Sequence, residues 1–248
     1  MIIYRDVWKS FGSEAVLQGV DLEVREGETL VLLGPSGTGK SVLLKHAIGL
    51  LMPDRGDIVV DGLSIPTATA EELRDVRRKV AYVFQNAALF DSMTVRDNLA
   101  MALIPEGSSR PFSDARDEAA ELLRRVNLEV NVLDRFPAEL SGGMRKRVGV
   151  ARAIATRPSY VLYDEPTTGL DPVNAEIIDG LITELASELG VTSIVVTHDL
   201  ESAFQVGDRV ALLTEGTLRA CGTPDEILAS EDPVVRQFMH RRFGTAAA

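Results

Sequence analysis

Cysteine is almost absent from this sequence, because Cys221 is its one example. A single cysteine excludes an intrachain disulfide and a cysteine-rich zinc site, and it indicates a reducing compartment. Aromatic residues make up only 5% of the 248 residues, whereas hydrophobic residues make up 45% and charged residues 25%. The last two fractions are typical of globular proteins and exclude a disordered, collagen-like or coiled-coil chain.

Long hydrophobic runs and positive charge are also scarce. No segment approaches the roughly 18 apolar residues of a membrane-spanning helix, and the best candidate, residues 42–52, is interrupted by Lys45 and His46. The N-terminus lacks the basic start and apolar stretch of a signal peptide. With 26 Lys and Arg against 37 Asp and Glu, the net charge of −11 disfavours non-specific nucleic-acid binding. We therefore expect a soluble chain that binds no nucleic acid and reaches a membrane only through a partner.

Strand patterns dominate the first part of the chain. Apolar alternation predicts strands over residues 2–8 and 16–24 with a turn at 11–12, and short apolar runs predict buried strands over 29–33, 58–60 and 80–84. A helix is predicted over residues 40–50. We expect antiparallel β-structure at the N-terminus, followed by buried strands of another sheet.

Residues 86–157 change to helical patterns, and strands and helices then alternate to about residue 232. Helices are predicted over 113–126 and 141–156, with Ser113 and Ser141 as N-caps. The alternating part predicts strands 160–163, 192–196 and 210–213 with helices 173–189 and 199–205, and the last helix covers 234–242. The predicted fold class is α/β: a single domain with a core of residues 1–85 and 158–232, a helical subdomain of 86–157 and a tail of 233–248.

A phosphate-binding loop is the strongest motif. Residues 34–41 fit the pattern G-x-x-x-x-G-K-[ST] between a buried strand and a helix. The motif consists of Gly34, Pro35, Ser36, Gly37, Thr38, Gly39, Lys40 and Ser41. Backbone N–H groups of such a loop converge on phosphate oxygens, Lys40 is predicted to bridge the β- and γ-phosphates, and Ser41 to supply an oxygen to Mg²⁺. The alternative, a chance glycine-rich turn, does not account for the flanking strand and helix.

Two carboxylates follow the apolar strand that begins at residue 160. At the carboxyl edge of a parallel sheet, Asp164 can hold Mg²⁺ and Glu165 can polarise a water molecule. Taken alone, an apolar strand followed by Asp-Glu is commonly only a solvated strand end. Beside a phosphate loop the pair predicts nucleotide hydrolysis.

A second anion site is predicted where Ser141, Gly142 and Gly143 open a helix. A helix N-terminus offers free N–H groups and the positive end of the helix dipole. An ordinary capped helix would be the simpler interpretation of this segment in isolation. The order of motifs favours the functional one, since Gln85 after a strand, the Ser-Gly-Gly segment, Asp164-Glu165, Asp171 and His198 after another strand follow one another along the chain.

This series of motifs resembles the ATP-binding subunits of ABC transporters over nearly the whole chain. The resemblance implies a P-loop (RecA-like) α/β core with an N-terminal antiparallel β-subdomain and an inserted α-helical subdomain. It also implies an ATPase that binds ATP with Mg²⁺. Glu165, His198 and Gln85 would be its catalytic residues.

The family also implies further roles for individual residues. Phe11 would stack on the adenine, Val42 would join the ATP-binding loop, and His198 would contact the γ-phosphate. Gln85 would sense the γ-phosphate and join Ser41 and Asp164 at the metal. Phe11 could instead belong to the core, and His198 could be a structural histidine.

The expected partners follow from the same resemblance. Two subunits would sandwich two ATP molecules, so that each phosphate loop faces Ser141-Gly142-Gly143 of the other copy, with Asp171 at the interface. Integral-membrane permease subunits would dock near Gln85 and residues 87–95, where Leu89, Phe90 and Met93 are apolar. The protein would then be cytoplasmic and peripheral on the inner face of the cell membrane.

Several stretches are most similar to the Mla-type phospholipid-transport ATPases, a branch of this family. They cover residues 40–46, 88–95, 141–148, 162–172 and 232–238, with Met144 where most relatives have glutamine and Asp91-Ser92 where importers of polar solutes often have Pro-His. This branch implies phospholipid as cargo, with a small accessory subunit and a lipid-binding protein as further partners. An importer of small polar solutes is the alternative. DNA-repair or translation ABC proteins fit the length less well, and P-loop kinases or GTPases leave Ser141-Gly142-Gly143 unexplained.

The tail is basic in an acidic protein. Residues 233–248 contain Arg236, Arg241 and Arg242 and no acidic residue. Residues 235, 238, 239 and 243 are apolar and fall near one stripe of a helix. Such a helix could lie on an anionic membrane or dock on protein, and the acidic body of the molecule favours docking on protein.

Overall fold

The computed structural model describes residues 1–104 and 107–243, with side chains as far as Met239. The described strands are β1 (Ile2–Phe11), β2 (Glu14–Val24), β3 (Thr29–Leu33), β4 (Arg55–Val60), β5 (Leu63–Ser64), β6 (Val80–Val83), β7 (Tyr160–Asp164), β8 (Thr192–Thr197), β9 (Arg209–Thr214) and β10 (Thr217–Gly222). The described α-helices are α1 (Lys40–Ala47), α2 (Ala70–Lys79), α3 (Val95–Leu103), α4 (Arg116–Arg125), α5 (Gly142–Ile154), α6 (Pro172–Leu189), α7 (Leu200–Val206), α8 (Pro224–Leu228) and α9 (Pro233–Phe243).

The strands form two sheets. The first is antiparallel and has the order β2-β1-β4-β5, with Ile2 opposite Val24 and Val60. The second has the order β10-β9-β3-β8-β7-β6, in which all neighbours run parallel except β9 and β10. The predicted α/β fold class with its antiparallel N-terminal β-structure is confirmed.

Strand β3 separates two hydrophobic cores, because side chains alternate between the two faces of a strand. Leu30 and Leu32 pack with the antiparallel sheet and α1, whereas Val31 and Leu33 pack with the helices on the other face. All five residues of β3 are buried. The loop that follows β3 therefore starts from a strand held on both faces.

The segment between β6 and β7 is helical, as its pattern predicts, but one predicted cap is wrong. Ser113 does not cap a helix over 113–126: residues Phe112–Ala115 form a 3₁₀ turn, and α4 begins only at Arg116. The Ser113 hydroxyl bonds to Asp114 instead of to a backbone N–H. Ser141 does cap α5, since its side-chain oxygen accepts the N–H of Met144 at 3.2 Å.

The tail helix packs on its own chain. Val235 and Met239 are buried in the core on the helical face of the parallel sheet, and Phe238 packs against it. Arg236 donates to the backbone carbonyl of Ser230 rather than to an acidic side chain. The side chains of Arg241, Arg242 and Phe243 lie outside the described residues, as do residues 244–248. In the part of the chain that the structure describes, no helix has the length and apolarity needed to cross a membrane.

Candidate functional site

The loop after β3 wraps around a buried lysine. Lys40 is only 5% exposed, and its Nζ donates to the carbonyl oxygens of Gly34 at 2.8 Å and Pro35 at 2.9 Å. Gly34 is required by a close approach, because a Cβ there would lie 2.1 Å from the carbonyl oxygen of Leu213. The loop thus holds an ammonium group at its centre, at the N-terminus of α1.

Burial and the neighbouring carboxylates shift the pKa of Lys40 in opposite directions. Burial lowers the pKa of the Lys40 ammonium, and the carboxylates of Glu165 and Asp164 partly offset that shift. The Nζ of Lys40 lies 3.8 Å from Glu165 Oε1. A polyanion in the loop would favour the charged form of Lys40 further.

Two oxygen ligands meet beside the loop. The Ser41 hydroxyl donates to Asp164 Oδ1 at 2.6 Å, although the two residues are far apart in sequence. Asp164 is buried at the end of β7, and its Oδ2 accepts the Tyr82 hydroxyl at 2.8 Å. A hydroxyl and a carboxylate are hard oxygen donors of the kind that Mg²⁺ takes in nucleotide sites. The residues present therefore fit the metal that the sequence predicts.

The Glu165 carboxylate has three polar neighbours. Its Oε2 accepts the Thr168 hydroxyl at 2.8 Å and lies 2.8 Å from His198 Nδ1, and its Oε1 faces Lys40. Its backbone is in the left-handed region with φ +52°. Such a conformation is uncommon for a residue other than glycine and often marks a functional site. The pairing of Glu165 with His198 joins two residues that the sequence analysis selected separately.

One cavity of about 530 Å³ connects most of the predicted residues. Its volume lies within the range of small-molecule sites, about 300–1,000 Å³. The lining consists of Phe11, Val16, Ser36, Gly37, Gly39, Lys40, Ser41, Val42, Gln85, Glu165, Thr168 and His198. Phe11 is 47% exposed at the end of β1. The alternative prediction, that Phe11 belongs to the core, is therefore wrong.

The Ser141-Gly142-Gly143 segment is not part of the Lys40 cavity. Gly142 instead borders a second space of about 380 Å³ with Lys146, Gly169 and Leu170, and this space shares Gln85 and Thr168 with that cavity. Asp171 caps α6, because its side chain accepts the backbone N–H of Asn174 at 3.0 Å. One chain by itself therefore does not bring this predicted anion site to its own phosphate loop.

Three polar neighbours of the site are not predicted from the sequence. Tyr82 touches Asp164, Thr168 touches Glu165, and Lys146 donates to the backbone of the Glu165 turn. A periodic pattern predicts only that Tyr82 belongs to a strand and Lys146 to a helix. Thr168 lies three residues after Glu165, a spacing that could have suggested a side-chain contact across a turn.

Known proteins include clear relatives of this chain. A family model described as ABC transporter matches residues 17–168. The chain belongs to the ABC transporter family. It contains that family's ATP-binding domain, of the ABC ATPase class. Its relatives include a probable ribonucleotide transport ATP-binding protein of Mycobacterium leprae, 44% identical over 95% of this chain and 68% of that protein.

Two further ABC proteins extend the comparison. A sulfate/thiosulfate import ATP-binding protein of Caulobacter vibrioides is 42% identical over 91% of this chain and 66% of its own length. The chain thus spans about two thirds of these curated relatives. A solved dimeric ATP-binding cassette, bound to ADP and phosphate in a post-hydrolysis state, has a TM-score of 0.81 and 33% identity, covering 90% of this chain and 99% of that one. The fold is that of ABC ATPase cassettes.

Proposed function

We propose that this protein is the ATP-hydrolysing subunit of a membrane transporter, in which ATP-driven closure of two copies is coupled to conformational change in a permease. The observation that carries the proposal is the meeting of Lys40, Glu165 and His198 at one cavity beside the Ser41–Asp164 pair. A phosphate-binding lysine, a carboxylate base and an oxygen ligand set are the parts that phosphoryl transfer to water needs.

Hydrolysis in this site assigns a role to each residue. Glu165 accepts a proton from the attacking water, and His198 and Thr168 hold its carboxylate in place. Lys40 leaves the carbonyls of Gly34 and Pro35 to bind the β- and γ-phosphates, and Phe11 stacks on the adenine. Ser41, Asp164 and Gln85 would hold Mg²⁺, which supplies charge neutralisation for the phosphates when bound. His198 and Gln85 contact the γ-phosphate side of the cavity.

A second copy of the chain completes the site in this proposal. Ser141, Gly142 and Gly143 do not line the cavity of their own chain, which leaves this helix start available for the phosphates bound by another copy. Ser141 and Gly142 are exposed. The solved cassette that this chain resembles in fold is itself a dimer, which supports this arrangement.

A permease would dock beside the segment after β6. Phe90 is 48% exposed, Leu89 is partly buried against the core, and Met93 is half-buried. The Phe90 backbone is fixed by Asn98, whose side chain accepts its N–H at 2.8 Å and donates to its carbonyl at 3.1 Å. A large apolar side chain presented on a rigid backbone is what a partner helix needs. The permease would keep the protein at the inner face of the cell membrane.

The cargo follows from the sequence stretches described above, and we propose phospholipid or a related lipid, moved between membranes of a bacterial envelope. A small accessory subunit and a lipid-binding protein would belong to the same complex. The names of the relatives favour a second candidate, an importer of small polar solutes, since they give ribonucleotide and sulfate or thiosulfate as cargo.

The cargo is tested with the native complex in vesicles. We expect added phospholipid in the bilayer to stimulate ATP hydrolysis, with no response to ribonucleotide or sulfate. Stimulation by either solute and indifference to lipid composition would replace the lipid proposal by the second candidate.

The hydrolytic role is tested with two substitutions. Glu165→Gln removes the base but keeps the cavity, so it should bind ATP and slow turnover by roughly 10² or more. Lys40→Ala removes the phosphate contact, so it should weaken ATP binding itself. Binding of a fluorescent ATP analogue and steady-state hydrolysis separate the two effects. Undiminished turnover in Glu165→Gln would refute the assignment of the base.

A further inference from the structure

A lysine of helix α5 binds the turn that follows Glu165. The Nζ of Lys146 donates to the carbonyl oxygen of Glu165 at 3.2 Å and to that of Thr168 at 2.8 Å. Lys146 is half-buried, and burial lowers the pKa of its ammonium to about 8 in spite of the nearby Glu165 charge. A desolvated ammonium between two carbonyls is a directed contact, unlike an exposed lysine on a helix surface.

The start of α5 is packed directly on the segment after the turn. A Cβ at Gly143 would lie 2.5 Å from Asn174 Oδ1, and one at Gly142 would lie 3.7 Å from Leu170 Cδ2. Helix α5 and the segment of residues 165–174 are therefore in contact both at the start of α5 and at Lys146. A displacement of α5 would therefore be transmitted through these contacts to the turn that follows Glu165.

Lys146 donates to the backbone of Glu165 and Thr168, the two residues whose side chains bond to each other in the site. The Thr168 hydroxyl donates to Glu165 Oε2, and Lys146 holds the carbonyls of these same two residues. The N–H of Glu165 is held by the Val196 carbonyl at 2.9 Å. Within this left-handed backbone, rotation of the Glu165 peptide would move its carboxylate relative to His198.

We propose that Lys146 is a positioning residue for ATP hydrolysis: its ammonium fixes the turn between Glu165 and Thr168 and thereby links the Ser141-Gly142-Gly143 helix to the base of its own chain. The inference rests on the proposed role of Glu165. Because Lys146 does not line the cavity of Lys40, it acts through Glu165 and not on the ATP bound by its own chain.

The test compares two replacements of Lys146 in the full chain. Lys146→Met keeps an unbranched side chain of similar length and the helix propensity but removes the donors, and Lys146→Arg retains a cation with several donors. We expect Lys146→Met to lower kcat on the order of 10- to 100-fold, as a displaced catalytic group does. The KM for ATP and the affinity for a fluorescent ATP analogue should change by less than about twofold, because ATP binding is left intact. Lys146→Arg should recover most of the lost kcat.

A double substitution separates positioning from general damage. In Glu165→Gln, the base that Lys146 positions is already absent, so that adding Lys146→Met should lower the residual rate no further. Arg124→Met is the matched control, since it removes an exposed basic side chain of helix α4 whose guanidinium contacts Glu121 at the surface. Its kcat should equal that of the wild type.

The outcomes are distinct. An unchanged kcat in Lys146→Met, an additive loss in the double variant, or a Lys146→Met protein that fails to fold would each overturn the positioning role. A wild-type protein that does not hydrolyse ATP would instead refute the proposed function before any variant is compared.

Discussion

Asp179 allows a test of how a buried charge affects the stability of the fold, because it is a buried carboxyl with an incomplete set of hydrogen-bond partners. It lies on α6, is 3% exposed, and its Oδ2 accepts the hydroxyl of Ser202 on α7. Its Oδ1 has no hydrogen-bond partner among the described residues. Burial raises the pKa of Asp179 from 3.8 to about 6, opposed by the Ser202 bond and assisted by the charges of Asp199 and Glu201.

The sign of the effect on stability follows from proton binding. Between about pH 4 and pH 6, the folded protein keeps a proton on Asp179 that the unfolded chain has lost, so stability decreases as pH rises through this range. Above that range both states are ionised, and the buried charge destabilises the fold by a constant amount. A shift of about two pKa units corresponds to about 3 kcal/mol. This value is an upper limit for the increase in the free energy of unfolding when a neutral side chain replaces the buried charge.

We therefore expect Asp179→Asn to increase the free energy of unfolding by about 1–3 kcal/mol at pH 8, with about half of that gain left at pH 5. Urea unfolding followed by circular dichroism at both pH values measures the difference. Glu184→Gln is the control on the same helix, since Glu184 is exposed and the change should alter stability by less than about 0.5 kcal/mol. An Asp179→Asn protein that is less stable at pH 8, or a gain independent of pH, would refute the reasoning.

Two further predictions concern the proposed permease contact and the tail helix. Phe90→Asp should uncouple transport from ATP hydrolysis in the reconstituted complex while nucleotide binding is unchanged, because Phe90 is exposed and its backbone is held by Asn98; unfolding of this variant would show that Phe90 belongs to the core. Val235→Ala should lower the free energy of unfolding by about 1–3 kcal/mol in urea, because Val235 is fully buried by its own chain, whereas a tail helix that lay on a membrane would lose nothing in solution.

Local sequence determined the parts of the site that consecutive residues build. The loop of residues 34–41 needs only its glycines, its lysine and the strand and helix on either side, and all of these are neighbours along the chain. The Ser141 cap of α5 is likewise a contact over three residues. The predicted cap at Ser113 failed because residues 112–115 take a 3₁₀ turn before α4, a choice that the local pattern does not settle.

Helix α2 is not predicted from the hydrophobic pattern. Seven of its ten residues are charged, and its apolar stripe is short, with Val76 buried and Leu73 partly buried against the core. Its start carries a capping box, in which Thr69 and Glu72 bond each other's backbone N–H groups. The capping box is therefore a local signal from which this helix could have been predicted.

What the sequence determined by itself is the list of reactive groups and the elements that carry them: a phosphate loop after β3, two carboxylates at the end of β7, a histidine after β8 and a capped glycine pair at α5. Only the tertiary structure decided which of these groups touch. The parallel order β3-β8-β7 sets the ends of three strands side by side, so that Ser41 meets Asp164 and His198 meets Glu165. The contacts of Tyr82 with Asp164 and of Lys146 with the Glu165 turn arise in the same way. Hydrogen bonds between residues so far apart in the chain depend on how the sheet and helices pack, and no local pattern encodes them.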